Sequence, residues 1–203
     1  MDVLTRLWPG LYRDIVLNRV VASAVCPKPL RWRALRAYGM QVEPCNVSPG
    51  VWFGSARVAI GRHSFINYGC VFNTAAPVTI GARCDIAMQV LFVTGSHEIG
   101  GAERRAGAAT SAAITVGNGC WIGARSVILP GVRIGPGTVI AAGAVVTANT
   151  DANSVYAGVP ARKLRDLPAG PARTSTAPAS TPAGTPAHAH STPLPAPNSE
   201  VTR

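Results

Sequence analysis

Branched aliphatic residues recur at every sixth position through Val116, Ile122, Ile128, Ile134, Ile140 and Val146. A helix repeats every ~3.6 residues and a simple strand every ~2, so neither explains this spacing. It calls for a chain that turns a corner every hexad and stacks coil upon coil, which is a parallel β-helix. The aliphatic residue opens a short strand and points into a narrow prism. The residue after it is small (Gly117, Gly123, Gly135, Ala141), and the fifth position is small or hydroxylated (Cys120, Ser126, Thr138, Ala144, Thr150), because larger groups would collide at the corner. Three flat faces close a coil, and successive coils lie at the sheet spacing of ~4.8 Å. No coil buries its aliphatic row alone, so the stack is the folding unit.

The period extends upstream through Ile80, Ile86 and Phe92 and through Ile60, Ile66 and Phe72, with Val47 and Phe53 opening the first coil. Phe72 to Ile80 is two residues too long, and the step from Phe92 to Val116 spans 24 residues. The middle of that step, SHEIGGAERRAGAATSAA, lacks strand character and reads as a loop thrown out from the helix over about 98–113. Long structureless segments in compact domains are usually functional or disordered.

Outside the repeats the pattern changes. Leu4, Leu7, Leu11 and Ile15 lie at helical spacing, Pro27 and Pro29 end that segment, and PLRWRALRAYG forms a second, shorter helix. The expected organisation is an N-terminal helical segment at 1–44 and a β-helix domain at 45–160. A C-terminal segment at 161–167 follows, and then a Pro/Ala/Thr-rich disordered tail at 168–203. IVLNRVVASAV is too short and too polar to span a membrane, and Asp2 with Leu-Trp-Pro makes no basic leader, so the expected location is cytoplasmic.

Charge narrows the function classes. The net charge is +10, with Arg6, Arg13, Arg19, Lys28, Arg31, Arg33 and Arg36 all before residue 40. No zinc-finger or RNA-binding aromatic signature accompanies them, which argues against a nucleic-acid partner. The cluster suits either a solvated helix face or peripheral contact with anionic lipid headgroups. Five cysteines form no CxxC pair; Cys70, Cys84 and Cys120 fall at small corner positions, so packing explains them as reduced thiols. His188 and His190 in the tail, two lone imidazoles, do not amount to a metal site.

Three stretches resemble the hexapeptide-repeat acyltransferases, in particular the galactoside, maltose and nodulation-factor O-acetyltransferase branch. They are VTIGARCDIAMQVLFVTGSH, ITVGNGCWIGARSVILPGVRIGPGTVIAAGAVVT and VYAGVPARKLR. The resemblance implies a left-handed β-helix, a homotrimer with active sites between subunits, and acetyl-CoA as co-substrate.

It also implies roles for particular residues. His97, after Val93-Thr94-Gly95-Ser96, matches the family's catalytic histidine; from the residues alone, a histidine closing a corner is equally open. A sugar hydroxyl is a poor nucleophile until a base takes its proton. Imidazole, which titrates at ~6.5 in model peptides, suits that task. Glu98 follows it, where proline is more common in this branch, and adjacent side chains on an extended segment point apart. Asn67 matches an acceptor-positioning asparagine, and Trp121 the aromatic wall near the acetyl group, although plain packing would also use an indole there. Ala124 and Ala142 correspond to backbone amides that pair with the pantetheine arm, with Thr147 farther along the groove. Arg162 and Arg165 match arginines that reach the CoA phosphates, and Lys163 is available as an extra phosphate contact. Ala75 stands where the sugar enzymes of the resembling family often carry an acid, a departure that bears on whether galactoside or maltose is the acceptor.

The expectation is an acetyl-CoA-dependent O-acetyltransferase acting on a hydroxyl of a carbohydrate or glycan precursor, with no metal. The alternative is an antibiotic acetyltransferase on the same scaffold, its pocket shaped by the long loop. A zinc β-helix of the γ-carbonic anhydrase type needs three histidine ligands, and the repeats supply His63 and His97 alone.

Overall fold

In the computed structural model, which describes residues 11–170, two short helices precede a parallel β solenoid of about six turns. The helices are α1 (Arg13–Val21, wound as a π-helix) and α2 (Lys28–Ala37). The first coil comprises β1 (Gln41–Val42), β2 (Asn46–Val47) and β3 (Trp52–Phe53). The second is β4 (Val58–Ile60), β5 (Phe65–Ile66) and β6 (Val71–Asn73); the third is β7 (Val78–Ile80), β8 (Asp85–Ile86) and β9 (Leu91–Val93). Here the chain leaves the solenoid through β10 (Gly95–Ile99) and β11 (Ala106–Ser111). It returns as β12 (Ile114–Val116), β13 (Trp121–Ile122) and β14 (Val127–Ile128), then β15 (Arg133–Ile134), β16 (Val139–Ile140) and β17 (Val145–Val146). A last rung adds Thr150 beside Ile134, β18 (Ser154–Ala157) on β16, and the antiparallel β19 (Arg162–Asp166).

Three parallel sheets result, and the sequence period maps onto them. The first face stacks β1-β4-β7-β12-β15, the second β2-β5-β8-β13-β16-β18, the third β3-β6-β9-β14-β17. Val116, Ile122, Ile128, Ile134, Ile140 and Val146 all point inward and are buried. On the third face Phe53, Phe72 and Phe92 stack with ring centroids 5.1 and 4.8 Å apart, one ring per rung. The fold is the left-handed parallel β-helix that the hexads and the resemblance imply.

Corner chemistry follows from close stacking. A Cβ on Gly123 would lie 2.4 Å from the Ala142 nitrogen of the next coil, so that position excludes any side chain. At the corner between the first and second faces runs an inner column of small donors: Ser64, Cys84, Cys120 and Thr138 donate to the carbonyls of Gly81, Gly117, Gly135 and Asp151. These thiols are therefore buried hydrogen-bond donors. Burial pushes the Cys70 thiol up to about 11, and the adjacent Cys84 sulfur together with burial pushes Cys120 up further.

The helices close the lower end of the solenoid, where β2 and β3 would otherwise present unpaired edges. The Asn18 side chain donates to the Phe53 carbonyl (3.0 Å) and accepts from the Phe53 amide (2.9 Å), standing in for a missing strand. Arg31, 1% exposed, donates to the carbonyls of Val21, Ser23, Cys26 and Val47, tying both helices to the first coil.

Four expectations change. The solenoid starts at Gln41, inside the segment assigned to helices, because Val42 already fills the first inward position. The apolar spacing of Leu11 and Ile15 does not mark the buried side of α1: both are exposed, and Leu17 and Val21 face the core. Arg31 does not belong to a solvated basic face. The excursion is a two-stranded antiparallel hairpin rather than a structureless loop. Leu4, Leu7 and the tail from 171 onward, with His188 and His190, lie outside the described residues. No helix among the described residues is long and apolar enough to cross a membrane.

Candidate active site

His97 owes its place to a buried hydroxyl and to a hairpin. Thr94, fully buried at the end of the third face, accepts from the Ala76 amide (2.9 Å) and donates to the Asn73 carbonyl (2.8 Å), which fixes where the chain departs. The Ala112 amide bonds back to the Thr94 carbonyl and closes the hairpin base. In the hairpin His97 pairs with Ala109, and the register shifts between His97 and Ile99. That bulge brings the Gly107 carbonyl to 3.0 Å from the His97 Nδ1. A carbonyl only accepts, so Nδ1 carries the hydrogen and Nε2 is left with its lone pair outward. The ring is exposed, as is Glu98, which makes no ion pair among the described residues.

The remaining candidates fall on a different edge of the prism. Asn67 follows β5 at the corner between the second and third faces, Trp121 opens β13 beside that corner, and Ala124 and Ala142 occupy it one coil apart. Trp121 is 57% exposed, so packing does not account for it. The Asn67 Oδ1 accepts from the Tyr68 amide (2.8 Å), leaving Nδ2 as an outward donor. The Gly143 amide reaches the Ala124 carbonyl, yet among the described residues neither the Ala124 nor the Ala142 amide donates to protein. Two outward donors thus repeat at the coil spacing on one corner.

Thr147 departs from the expected groove. It follows β17 at the corner between the third and first faces, in register with Leu129 and Val93, and so shares its edge with the departure of the His97 hairpin rather than with Ala124 and Ala142. One face of about six residues at ~3.3 Å each separates the two edges by up to ~20 Å, beyond the reach of side chains within one chain. A groove of 630 Å³ along the first face, lined by Arg36, Gln41, Glu43 and Thr79 among others, is lined by none of the candidate residues.

Arg162 and Arg165 are exposed on β19, which is held to the solenoid by Lys163. The Lys163 ammonium lies 3.0 Å from Asp151 and 2.7 Å from Asp166, and these carboxylates raise its pKa. Lys163 thereby ties β19 to the solenoid through Asp151. The Lys163 contact, with the Ser154 hydroxyl, lowers the Asp166 pKa.

One feature of the candidate site escaped the sequence. The Gly107 carbonyl is contributed by backbone and has no residue signature. Asp85, directly below Trp121 in the second face, is 36 residues away in the chain because the hairpin intervenes between their coils. Among the described residues no three His, Cys, Asp or Glu side chains gather as a metal-holding group, and His63 sits at the corner between the first and second faces.

Comparison with known proteins places this geometry. A family model described as bacterial transferase hexapeptide (six repeats) matches residues 113–148. The galactoside O-acetyltransferase of Escherichia coli (strain K12) is 38% identical over 126 residues, 62% of this chain and 62% of that protein. A putative acetyltransferase of Staphylococcus aureus (strain Mu50 / ATCC 700699) is 34% identical over 166 residues, 76% of this chain and 83% of that protein. Among solved structures, a maltose O-acetyltransferase from Clostridium difficile 630 superposes with a TM-score of 0.73 at 28% identity, covering 82% of this chain and 90% of that one. A hexapeptide-repeat acetyltransferase from Vibrio cholerae O1 biovar eltor, complexed with acetyl coenzyme A, gives 0.70 at 29% identity, covering 78% and 88%. The chain spans between 54% and 65% of the length of four curated relatives that it matches. With its solenoid, its hairpin excursion and an identity of 34% across most of a relative's length, the chain belongs to the hexapeptide-repeat acyltransferase family, and galactoside and maltose O-acetyltransferases are among the proteins it is similar to.

Proposed function

We propose that the protein is an acetyl-CoA-dependent O-acetyltransferase that acetylates a hydroxyl of a carbohydrate or glycan precursor, working as a homotrimer. The observation that carries the reading is the division of the candidate residues between the two edges of the third face. That face is apolar on its outer side, where Trp52, Val71, Leu91, Val127 and Val145 form one continuous row. Three copies that turn this face toward a common axis bring the His97 edge of one against the Asn67 edge of the next. Each cleft then holds one complete set of groups, and the symmetry closes without an open end.

The chemistry follows in a ternary complex. The acceptor hydroxyl lies at the His97 Nε2, which takes its proton as the oxygen attacks the thioester carbonyl. The new C–O bond forms, the C–S bond breaks, and the imidazolium returns the proton to the leaving thiolate. Hydrogen bonding to the Gly107 carbonyl keeps the proton-accepting nitrogen outward and favours the imidazolium as it forms. Ala124 and Ala142 offer amides at one-coil spacing to the pantetheine arm; Trp121 walls the acetyl end, Asn67 positions the acceptor, and Thr147 lines the cleft from the neighbouring copy. Arg162 and Arg165 take the CoA phosphates with planar guanidinium forks. The reading places the enzyme in the cytoplasm. Its basic helices are free for peripheral contact with anionic lipid, although α1 and α2 already serve to close the solenoid.

The test is His97→Ala in a thiol-release assay against a panel of glycosides. A loss of ~10² to 10⁴ in kcat with unchanged CoA affinity is expected. Near wild-type turnover would end the mechanism.

A further inference from the structure

The outer side of the second face carries one charged residue between Asn46 and Val155. The outward row reads Asn46, Phe65, Asp85, Trp121, Val139 and Val155, each paired with the next. Asp85 thus has Phe65 on the rung below and Trp121 on the rung above, at ~4.8 Å each. The row stands beside the corner that holds Asn67, two residues beyond Phe65.

Asp85 is among the described acids without a basic partner. Asp14, Glu43, Asp151 and Asp166 all sit in salt bridges, whereas Asp85 is exposed and forms neither an ion pair nor a side-chain hydrogen bond among the described residues. In a chain of net charge +10 the lack of a cation here is a local property, not a shortage of basic groups. Water satisfies the carboxylate while the face is open. A second subunit and a bound acyl donor would remove part of that water, and a carboxylate losing solvent requires a compensating charge. The two flanking rings favour the same compensation, since aromatic faces attract an ammonium more strongly as water leaves.

We infer that Asp85 is a specificity-determining residue that binds an ammonium group on the acceptor, held between Phe65 and Trp121 and separate from the hydroxyl that is acetylated. The preferred acceptors are then amine-bearing polyols or glycosides. The inference rests on the acetyltransferase reading above and names its substrate class.

The experiment uses the full chain and matched acceptors, 2-aminoethyl and 2-hydroxyethyl glycosides of the same sugars, with thiol release as the rate and calorimetry for acetyl-CoA affinity. The aminoethyl member is expected to show a kcat/KM about 10-fold higher, mostly through KM, the scale of one partly desolvated charge contact. Asp85→Asn should abolish that preference while kcat on the hydroxyethyl acceptor and acetyl-CoA affinity stay at wild-type values, and Asp85→Glu should keep part of it. Equal kcat/KM for both acceptors in the wild type, or a preference that survives Asp85→Asn, overturns the inference and leaves the acetyltransferase reading intact. Dissociation of the Asp85→Asn oligomer also overturns it, by identifying an intersubunit ion pair instead. Failure of the wild type to bind acetyl-CoA at all defeats the underlying reading and this inference with it.

Discussion

Arg31→Met is the sharpest probe of how the N-terminal helices serve the solenoid. Methionine is close in length and apolar, so it fills the space while removing every donor. Four carbonyls lose their partner. Those of Val21 and Val47 lie behind buried contacts, whereas those of Ser23 and Cys26 lie nearer the surface, where water can replace the guanidinium. At ~1–3 kcal/mol for each orphaned buried group, and less for the two that rehydrate, the loss comes to about 3–5 kcal/mol, the range found when one partner of a buried charged contact is removed. For a domain of this size the midpoint falls by ~2–4 °C per kcal/mol, so a drop of roughly 6–20 °C is expected. Arg31→Lys, with three donors for four acceptors, should fall between. Trp32 packs against the core from α2 and reports the transition by fluorescence in a urea titration. A shift below about 1 kcal/mol would refute the reasoning by showing that the carbonyls are satisfied without the guanidinium.

Three further outcomes follow from the packing. Gly123→Ala places a methyl 2.4 Å from backbone of the next coil, and the expected result is failure to accumulate as soluble protein, while Ala142→Gly is tolerated. Leu91→Arg, at the middle of the apolar outer row of the third face, should give a folded monomer by sedimentation with acetyl transfer lost. The third concerns pH. Asp166 has a depressed folded pKa, so its contribution to the docking of β19 is present above the unfolded value of ~3.9 and is lost as pH falls through the folded one. Lys163 has a raised pKa, so its contribution is present below ~10.4 and is lost as pH rises through the folded value. Hydrogen exchange at the β19 amides should therefore be slowest relative to the solenoid between these limits and accelerate outside them.

Hexad spacing exposed the inward rows from Val47 to Val146 because the large inward side chain of each β-helix face recurs once in six residues, and the chain states it directly; the first inward residue, Val42, lay outside that run. Where geometry depends on backbone, the chain is silent. The segment from Ala106 to Ser111 pairs with Gly95–Ile99 through main-chain groups, and its small side chains are mostly exposed, so it shows neither the alternation nor the branched residues that signal a strand. Arg31 misled for a different reason. A charge on a short amphipathic segment reads as solvated, and the four carbonyls that bury it converge only after α1 ends beside the first coil. Among the candidate residues, His97, Asn67 and Trp121 stand out through their motifs. The edge each occupies was not, because that depends on counting corners across an excursion whose length does not fit the period.

The division of the site also explains why one scaffold can keep its cofactor chemistry while changing acceptor. In the proposed function Ala124 and Ala142 serve the cofactor through backbone amides at a spacing imposed by coil stacking, and any sequence that satisfies the hexads keeps those amides in place. Outward positions such as Asp85 lie on the same rungs but contribute nothing to the prism, since the inward neighbour Ile86 carries the packing. An outward residue can thus change charge or size at small cost to the fold, whereas an inward one cannot. Selection for a new acceptor should therefore accumulate on the outer side of the second face and on the hairpin. The contact of His97 with the Gly107 carbonyl is the fixed point between them in the proposed mechanism, because the tautomer it sets is the one that mechanism uses for whatever hydroxyl is offered.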